Sequence, residues 1–334
     1  MNKKQTVIQK AGGVALLLLL LFGVALLALW LGSARLSSAA FWGGLFGKAE
    51  FQTETLILYQ LRLPRILGGI LAGIGLSVSG VLLQSITGNE LAGPNIIGIN
   101  AGAGFAAILT LYVWPAQILL LPAGAFIGAF LATLVIIGIA GRVSRSRSTV
   151  ILVGVAVTAL LNAGISLISL LDPDVLASYN HFSIGRLSGV RLEHIVLPAV
   201  IILCALFSAI LFGKRMDVLC LGDSLATSLG IKVRSLRVLC LILASASAAA
   251  VVSYAGLLGF VGLMVPHMAR RLAGGSIRRQ LCYAAPLGGL LVLLADLLGR
   301  VLFAPSELPV GIILAFLGAP FFFYLLIRRK HREY

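Results

Sequence analysis

The chain has 334 residues, 60% hydrophobic and 11% charged, with 26 Lys and Arg against 11 Asp and Glu and a mean hydropathy of +1.07. Soluble domains carry roughly 25% charged residues, so the composition excludes one. A nucleic-acid reading of the +15 net charge also fails, because the basic residues sit in short connections between apolar runs, where the positive-inside rule places them.

What remains is an all-α, polytopic membrane protein, read as one transmembrane domain over residues 1–334. In chain order, apolar windows set against the roughly 20 residues that a spanning helix needs give ten segments. They lie near residues 11–31, 66–87, 94–112, 116–140, 149–171, 194–213, 236–255, 257–270, 281–303 and 308–327. The first, "AGGVALLLLLLFGVALLALWL", follows Lys3, Lys4 and Lys10. Its apolar core exceeds the roughly 7–15 residues of a secretion-signal core, so it is expected to be retained as a helix. The third and eighth are short, glycine-rich and bounded by Pro94 and Pro266. They are expected to cross part of the bilayer or to bend within it, where irregular backbone must be surrounded by protein or line a cavity. Ten crossings put both termini on one side. With that side inside, 19 of the 26 basic residues fall there, and Arg35, Lys48, Arg62, Arg65, Arg186, Arg191 and Arg300 fall outside.

Two longer polar connections, 32–60 and 172–193, lie on the outer side, and one inner connection carries structure of its own. This is "GKRMDVLCLGDSLATSLGIKVRS" (213–235), whose middle reads as two short helices separated by "LGD", with Gly230 as a stop. Such a loop suggests a place where something docks.

The chemistry of an enzyme is missing. No HExxH, GxSxG or phosphate-binding GxxxxGK[ST] pattern occurs, and no catalytic residue, cofactor or metal site is expected. Cys204, Cys220, Cys240 and Cys282 stand alone and are expected to be small core residues. Ionisable residues within spans are costly and usually functional. The clearest here are Asp296 and Arg300, four apart on the ninth segment and able to pair; Glu90 and His267 lie near segment ends. A gradient-driven carrier would therefore have few groups to work with. On the fifth segment Thr158, Asn162, Ser166 and Ser169 share one helical face. They serve either as interhelical hydrogen-bonding groups or as the mildly polar wall of a translocation path. Gly69-x-x-x-Gly73, Gly98-x-x-x-Gly102 and "ASASAAA" (244–250) should allow close helix approach.

Five stretches in order resemble one family: "RLPRILGGILAGIGLSVSGVLLQ" (62–84), "ELAGPNIIGINAGAG" (90–104), "LGDSLATSLGI" (221–231), "GLLGFVGLMVPHMARRLAG" (256–274) and "LLADLLGR...ELPVGIILAFLGAPFFFYLL" (293–326). They are similar to the FecCD-type permease subunits of ATP-binding-cassette importers for ferric siderophores, haem and cobalamin. The resemblance implies a type II importer permease of about ten helices in the bacterial plasma (inner) membrane, with both termini cytoplasmic. It implies a second permease copy or paralogue, two ATPase subunits on the inner face and an extracytoplasmic substrate-binding protein. It carries ATPase coupling to Gly222, Asp223, Ala226 and Gly230 of the inner loop. It carries docking of the binding protein to Arg62, Arg65 and Arg300, whose guanidiniums suit carboxylates; anchoring to lipid phosphates, or an Arg300–Asp296 pair, is the competing reading. The family commonly reads "NPLADP" where this chain has "NELAGP" (89–94), so Glu90 is new. The implied activity is ATP-driven import of a ferric siderophore. Haem or cobalamin import, and less probable gradient-driven transport, are the alternatives, and the wall residues alone do not decide the solute.

Overall fold

The computed structural model describes residues 3–34, 36–143 and 147–330, all helical or irregular with no strand among them. Arg35, Arg145 and Arg332 of the charge count lie outside the described residues. All ten expected segments are helices. They are α1 (Lys3–Trp30), α4 (Leu63–Thr87), α5 (Ile99–Val113), α6 (Leu121–Val143), α7 (Arg147–Leu171), α9 (Leu192–Cys220), α11 (Val233–Ala255), α12 (Val261–Ala273), α13 (Ile277–Val301) and α14 (Val310–Lys330). Between them run the short helices α2 (Ser38–Leu45), α3 (Gln52–Leu56), α8 (Pro173–Ile184) and α10 (Asp223–Ser228). Seven stretches are long and apolar enough to span a membrane by themselves. The two expected to fall short do so: at 1.5 Å per residue, the 15 residues of α5 and 13 of α12 cover about 20 Å of the roughly 30 Å core.

Both broken helices begin in the left-handed region. Gly98 opens α5 at φ +79° and Phe260 opens α12 at φ +64°. Such a φ is costly for a residue with a bulky side chain. Phe260 packs into the gap left by Gly318 of α14, where a Cβ would sit 2.1 Å from the Phe260 ring.

The core is α4, buried along most of its length and surrounded by α9, α11, α12 and α13. Glycine sets the crossings. A Cβ on Gly73 would lie 2.0 Å from the Gly288 carbonyl oxygen of α13, and one on Gly80 would lie 2.0 Å from that of Gly262 in α12. Gly102 and Gly128 do the same for α5 against α6. The "ASASAAA" run packs α11 between α4 and α6. Ser247 Oγ donates to the Gly75 carbonyl (3.0 Å) and Ser245 Oγ to Thr133 Oγ1 (2.8 Å). The first expected glycine pair is only half used this way, since Gly69 faces the Leu187 side chain. Gly98 serves as a helix start rather than a crossing.

Three local expectations need correction. The 32–60 connection is largely helical: helix is continuous from Ala49 to Thr87, through a π-turn at Ile57–Arg62 just ahead of Pro64. Proline has no N–H and its ring crowds the preceding turn, so a widened turn there relieves both. Of the first proposed helix of the inner loop, "DVLC" is simply the end of α9, leaving α10 as the only separate one. Among the cysteines only Cys240 is buried; Cys204, Cys220 and Cys282 are exposed.

Candidate functional site

At one end of the bundle, where the C-termini of α1 and α13 meet the N-terminus of α4, Arg65 and Arg300 meet two carboxylates and Arg62 lies beside them on backbone carbonyls. Arg62 is 5% exposed. Its Nη1 donates to the carbonyls of Leu29 and Trp30 (2.7 Å each) and its Nη2 to that of Ala34 (2.6 Å). These lie at and just beyond the C-terminus of α1, where carbonyls lack helical partners and the dipole favours a cation. Arg300, 2% exposed, places its Nε 3.0 Å from Asp296 Oδ2 and its Nη1 3.4 Å from the Ala28 carbonyl. The expected (i, i+4) pair therefore exists. Both Arg62 and Arg300 are buried here and hold α1 against α4 and α13.

Arg65 joins the same cluster from α4. Nε and Nη2 grip the fully buried carboxylate of Asp296 (3.0 and 2.8 Å), and Nη1 donates to Glu307 Oε2 at 2.6 Å. Glu307, in the connection between α13 and α14, belongs to the quoted "ELPVG" stretch but received no role from sequence. Burial by itself would raise its carboxyl. Hydrogen bonds from Arg65 and Ser33 and the charges of Arg65 and Arg300 outweigh that and hold it below the ordinary value. Beside Arg65 a cavity of about 160 Å³ opens, lined also by His181, Arg186, Ser188 and Glu307.

At the level of the broken helices lies a larger cavity of about 290 Å³. Asn95 and Asn100 reach it from the start of α5, Thr158 and Asn162 from α7, and Tyr179 and Ser183 from α8. Its polar lining is amide and hydroxyl with no carboxylate, and Asn100 Nδ2 donates to Asn95 Oδ1. Asn100 Oδ1 and Thr158 Oγ1 are buried without a hydrogen-bond partner, a costly state for groups lining an open space. Of the predicted stripe, Thr158 and Asn162 border this cavity. Ser166 and Ser169 do not: Ser166 is exposed, and Ser169 Oγ donates back to the Ile165 carbonyl at 2.8 Å. Ser169 is eleven residues along α7 from Thr158, about 16 Å by helical rise, and has passed the end of the cavity. Asn95, Asn100, Tyr179 and Ser183 were missed as site residues, since only the fold brings α5 and α8 to α7.

The inner loop is built as a bracket. α9 runs to Cys220, Gly222 turns the chain at φ +125°, α10 follows, and Gly230 ends it at φ +78°. Asp223 accepts from Arg237 Nη2 of α11 (2.8 and 3.0 Å), and Ala226 is fully buried, so α10 is pinned on one face. On the other, Leu221, Leu225 and Leu229 are 67%, 54% and 66% exposed. Nearby, Asp217 of α9 accepts from Ile277 N (2.6 Å) and Ser276 Oγ (3.2 Å), capping α13 from a neighbouring helix. The unusual Glu90 accepts from Arg270 Nη1 at 2.6 Å and lies 3.8 Å from His267 Nδ1, tying the turn before α5 to α12.

A family model described as the FecCD transport family matches residues 17–328. The iron(3+)-hydroxamate import system permease protein FhuG of Bacillus subtilis (strain 168) is 36% identical, over 94% of this chain and 96% of the relative. The ferric enterobactin transport system permease protein FepD of Escherichia coli (strain K12) is 36% identical over 97% of each chain. The hemin transport system permease protein HmuU of Yersinia pestis is 32% identical over 95% of this chain and 96% of that one. A solved metal-chelate type ABC transporter in an inward-facing conformation superposes with a TM-score of 0.85 at 28% identity, over 94% of this chain and 98% of that chain. With the five sequence stretches, the ten helices and matches along nearly its whole length, this chain belongs to the FecCD transport family.

Proposed function

We propose that the chain imports a ferric siderophore, delivered by an extracytoplasmic binding protein and driven by ATP hydrolysed on separate subunits at its inner face. The observation that carries this reading is the bracket around α10. Leucines exposed on a lipid-facing helix need no explanation. Leu221, Leu225 and Leu229 instead stand in a connection flanked by Lys214 and Arg215 near the end of α9 and by Lys232 and Arg234 at the start of α11, where an exposed apolar row marks a protein contact. An ATPase groove closing on α10 would pull on α9 and α11 together, through Gly222, Asp223, Ala226 and Gly230. ATP then works by favouring one permease conformation over another. The 290 Å³ cavity would be part of the path, completed by a second permease, with Thr158 and Asn162 on its wall. Among the described residues its polar lining is amide and hydroxyl, unlike the ionisable lining of the kind a gradient-driven carrier uses.

Relatives named for hydroxamate, enterobactin and hemin transport keep the solute class open to haem. The test is uptake of labelled iron as a hydroxamate, catecholate or citrate chelate, or as haem, in cells lacking the chain. A restorable loss for one siderophore supports the reading. A loss for haem alone moves the substrate, and uptake that persists without any ATPase overturns it.

A further inference from the structure

The bracket around α10 has a further fastening, to α13. Asp217 stands in the last turn of α9 and is half-buried. Both oxygens of its carboxylate go to α13: Oδ1 accepts from the Ile277 N–H at 2.6 Å and Oδ2 from Ser276 Oγ at 3.2 Å. Ser276 is the N-cap of α13, with extended backbone at φ −79° and ψ 125°. A serine there ordinarily accepts from the first N–H groups of its own helix. Ser276 makes no such bond and donates to Asp217 instead, so the cap of α13 comes from another helix and ties the two together. Around this tie the contact offers less grip. A Cβ on Gly213 of α9 would lie 2.3 Å from Arg278 Cγ, a smooth approach of the kind along which packed helices shear. Arg278 Nη2 donates to the Leu211 carbonyl (3.0 Å) at an exposed site, where water competes. From Ile277, α13 runs as one helix to Val301 and carries Asp296 about 28 Å along its axis. At that far end Asp296 holds Arg65 of α4 and Arg300.

We propose that Asp217 is a positioning residue for transport: it is the tie through which a pull on α10 reaches α13 and, along that helix, the Asp296 cluster at the opposite end of the bundle. This rests on the importer reading, which places an ATPase at α10, and it adds a third helix to the two, α9 and α11, that such a pull moves directly. Hydrogen bonds suit the task because they are directional. One of them ends on backbone, at the buried Ile277. A shift of α9 against α13 would leave that N–H without an acceptor, a costly state inside a protein, so displacing α9 carries the start of α13 with it. Charge is not what the tie requires, since an amide oxygen can accept from the same N–H.

The test is the amount of chelate moved per ATP hydrolysed, in proteoliposomes holding the full chain, its permease partner, the ATPase subunits and the binding protein. Labelled iron is offered as hydroxamate, catecholate and citrate chelates and as haem, and whichever the wild-type complex accumulates is used for the variants. The melting midpoint of each variant is read beside it. Asp217→Ala should lower the midpoint and cut the chelate moved per ATP by about fivefold or more, the scale on which changes along a coupling route act. Asp217→Asn, which keeps an acceptor for Ile277, should stay close to wild type in both. The deciding variant combines Asp217→Ala with Ser276→Asp, which caps α13 from its own N-cap without joining it to α9. Its midpoint should return while its transport per ATP stays low, and it carries the test if Asp217→Ala alone does not fold. Recovery of both quantities overturns the proposal and leaves Asp217 a cap only. Asp217→Ala with wild-type transport per ATP overturns it too, as does Asp217→Asn as impaired as alanine; in each case ATP-dependent uptake by the wild type leaves the importer reading standing. Wild-type uptake that persists without the ATPase, or no accumulation of any chelate, overturns the importer reading and the tie's role with it.

Discussion

Substituting Asp296→Asn should be among the most damaging single changes in this protein. The carboxylate has no exposed surface and neutralises two guanidiniums, Arg65 at 2.8 Å and Arg300 at 3.0 Å, with Arg65 11% and Arg300 3% exposed. With charge centres about 4 Å apart and an effective dielectric near 20, each pair contributes about 4 kcal/mol of attraction, before the cost of desolvation. Asparagine keeps the shape and an acceptor oxygen but leaves Arg65 and Arg300 with Glu307 as the one remaining acid near them among the described residues. Breaking a buried pair from one side typically costs about 3–5 kcal/mol, a large share of the roughly 5–15 kcal/mol that holds a folded protein together. Thermal unfolding of the detergent-solubilised protein, followed by circular dichroism, would show a steep fall in midpoint or a failure to accumulate. Glu307→Gln is the internal comparison. Arg65 keeps Asp296 and the lost pair is partly exposed, so the change should cost at most about 1 kcal/mol. An Asp296→Asn protein as stable as Glu307→Gln would refute the idea that the cluster clamps α1 to α4 and α13.

The Glu307 pair also predicts a pH dependence. Its folded value lies below the ordinary 4.5, so its contribution is complete above about pH 5 and is lost as pH falls through the depressed value. The stability gap between wild type and Glu307→Gln should be flat from pH 6 to 8 and close only in acid; a gap closing near neutrality would contradict it. Gly73→Ala forces a Cβ to 2.0 Å from the Gly288 carbonyl oxygen and should cost about 1–3 kcal/mol by overpacking, read as a lowered melting midpoint. Glu90→Gln removes a pair on the surface, with Glu90 53% and Arg270 35% exposed, and should change stability by less than about 1 kcal/mol, an effect that salt erases. Leu225→Glu should leave the fold intact, since that side chain is 54% exposed, while lowering ATPase-coupled uptake by about tenfold or more, the scale of losing one buried interface anchor. Unchanged uptake would remove α10 from the coupling account.

Most of the ten segments were legible as long apolar runs, and the two short ones betrayed themselves through Pro94, Pro266 and their glycines. Helix crossings were half legible: spacing marked Gly73 and Gly102, but nothing local distinguishes Gly98, which begins a helix, from a glycine that lets two helices touch. The arginines show the limit most clearly. The helix count put them on the outer side and the resemblance alone gave them a docking role. Whether a guanidinium turns inward depends on what awaits it, and the acids on Arg65 lie 231 and 242 residues away. Of the α7 stripe, Thr158 and Asn162 border the cavity and Ser166 and Ser169 do not, because periodicity gives direction around a helix and says nothing of where a cavity stops. The turn that ends the helix of this loop was visible in Gly230, whereas Asp217 capping α13 was invisible, being a contact between helices.

The central claim is ATP-driven uptake of an iron chelate, and its most direct test is a transport assay in proteoliposomes. The chain, its permease partner and the ATPase subunits would be reconstituted with the binding protein outside and ATP sealed inside, and accumulation of labelled ferric siderophore measured. Accumulation above the outside concentration that needs ATP, and that vanishes when the ATPase is disabled, is the result expected. Equal accumulation with a disabled ATPase, driven by an imposed proton or sodium gradient, would contradict the account.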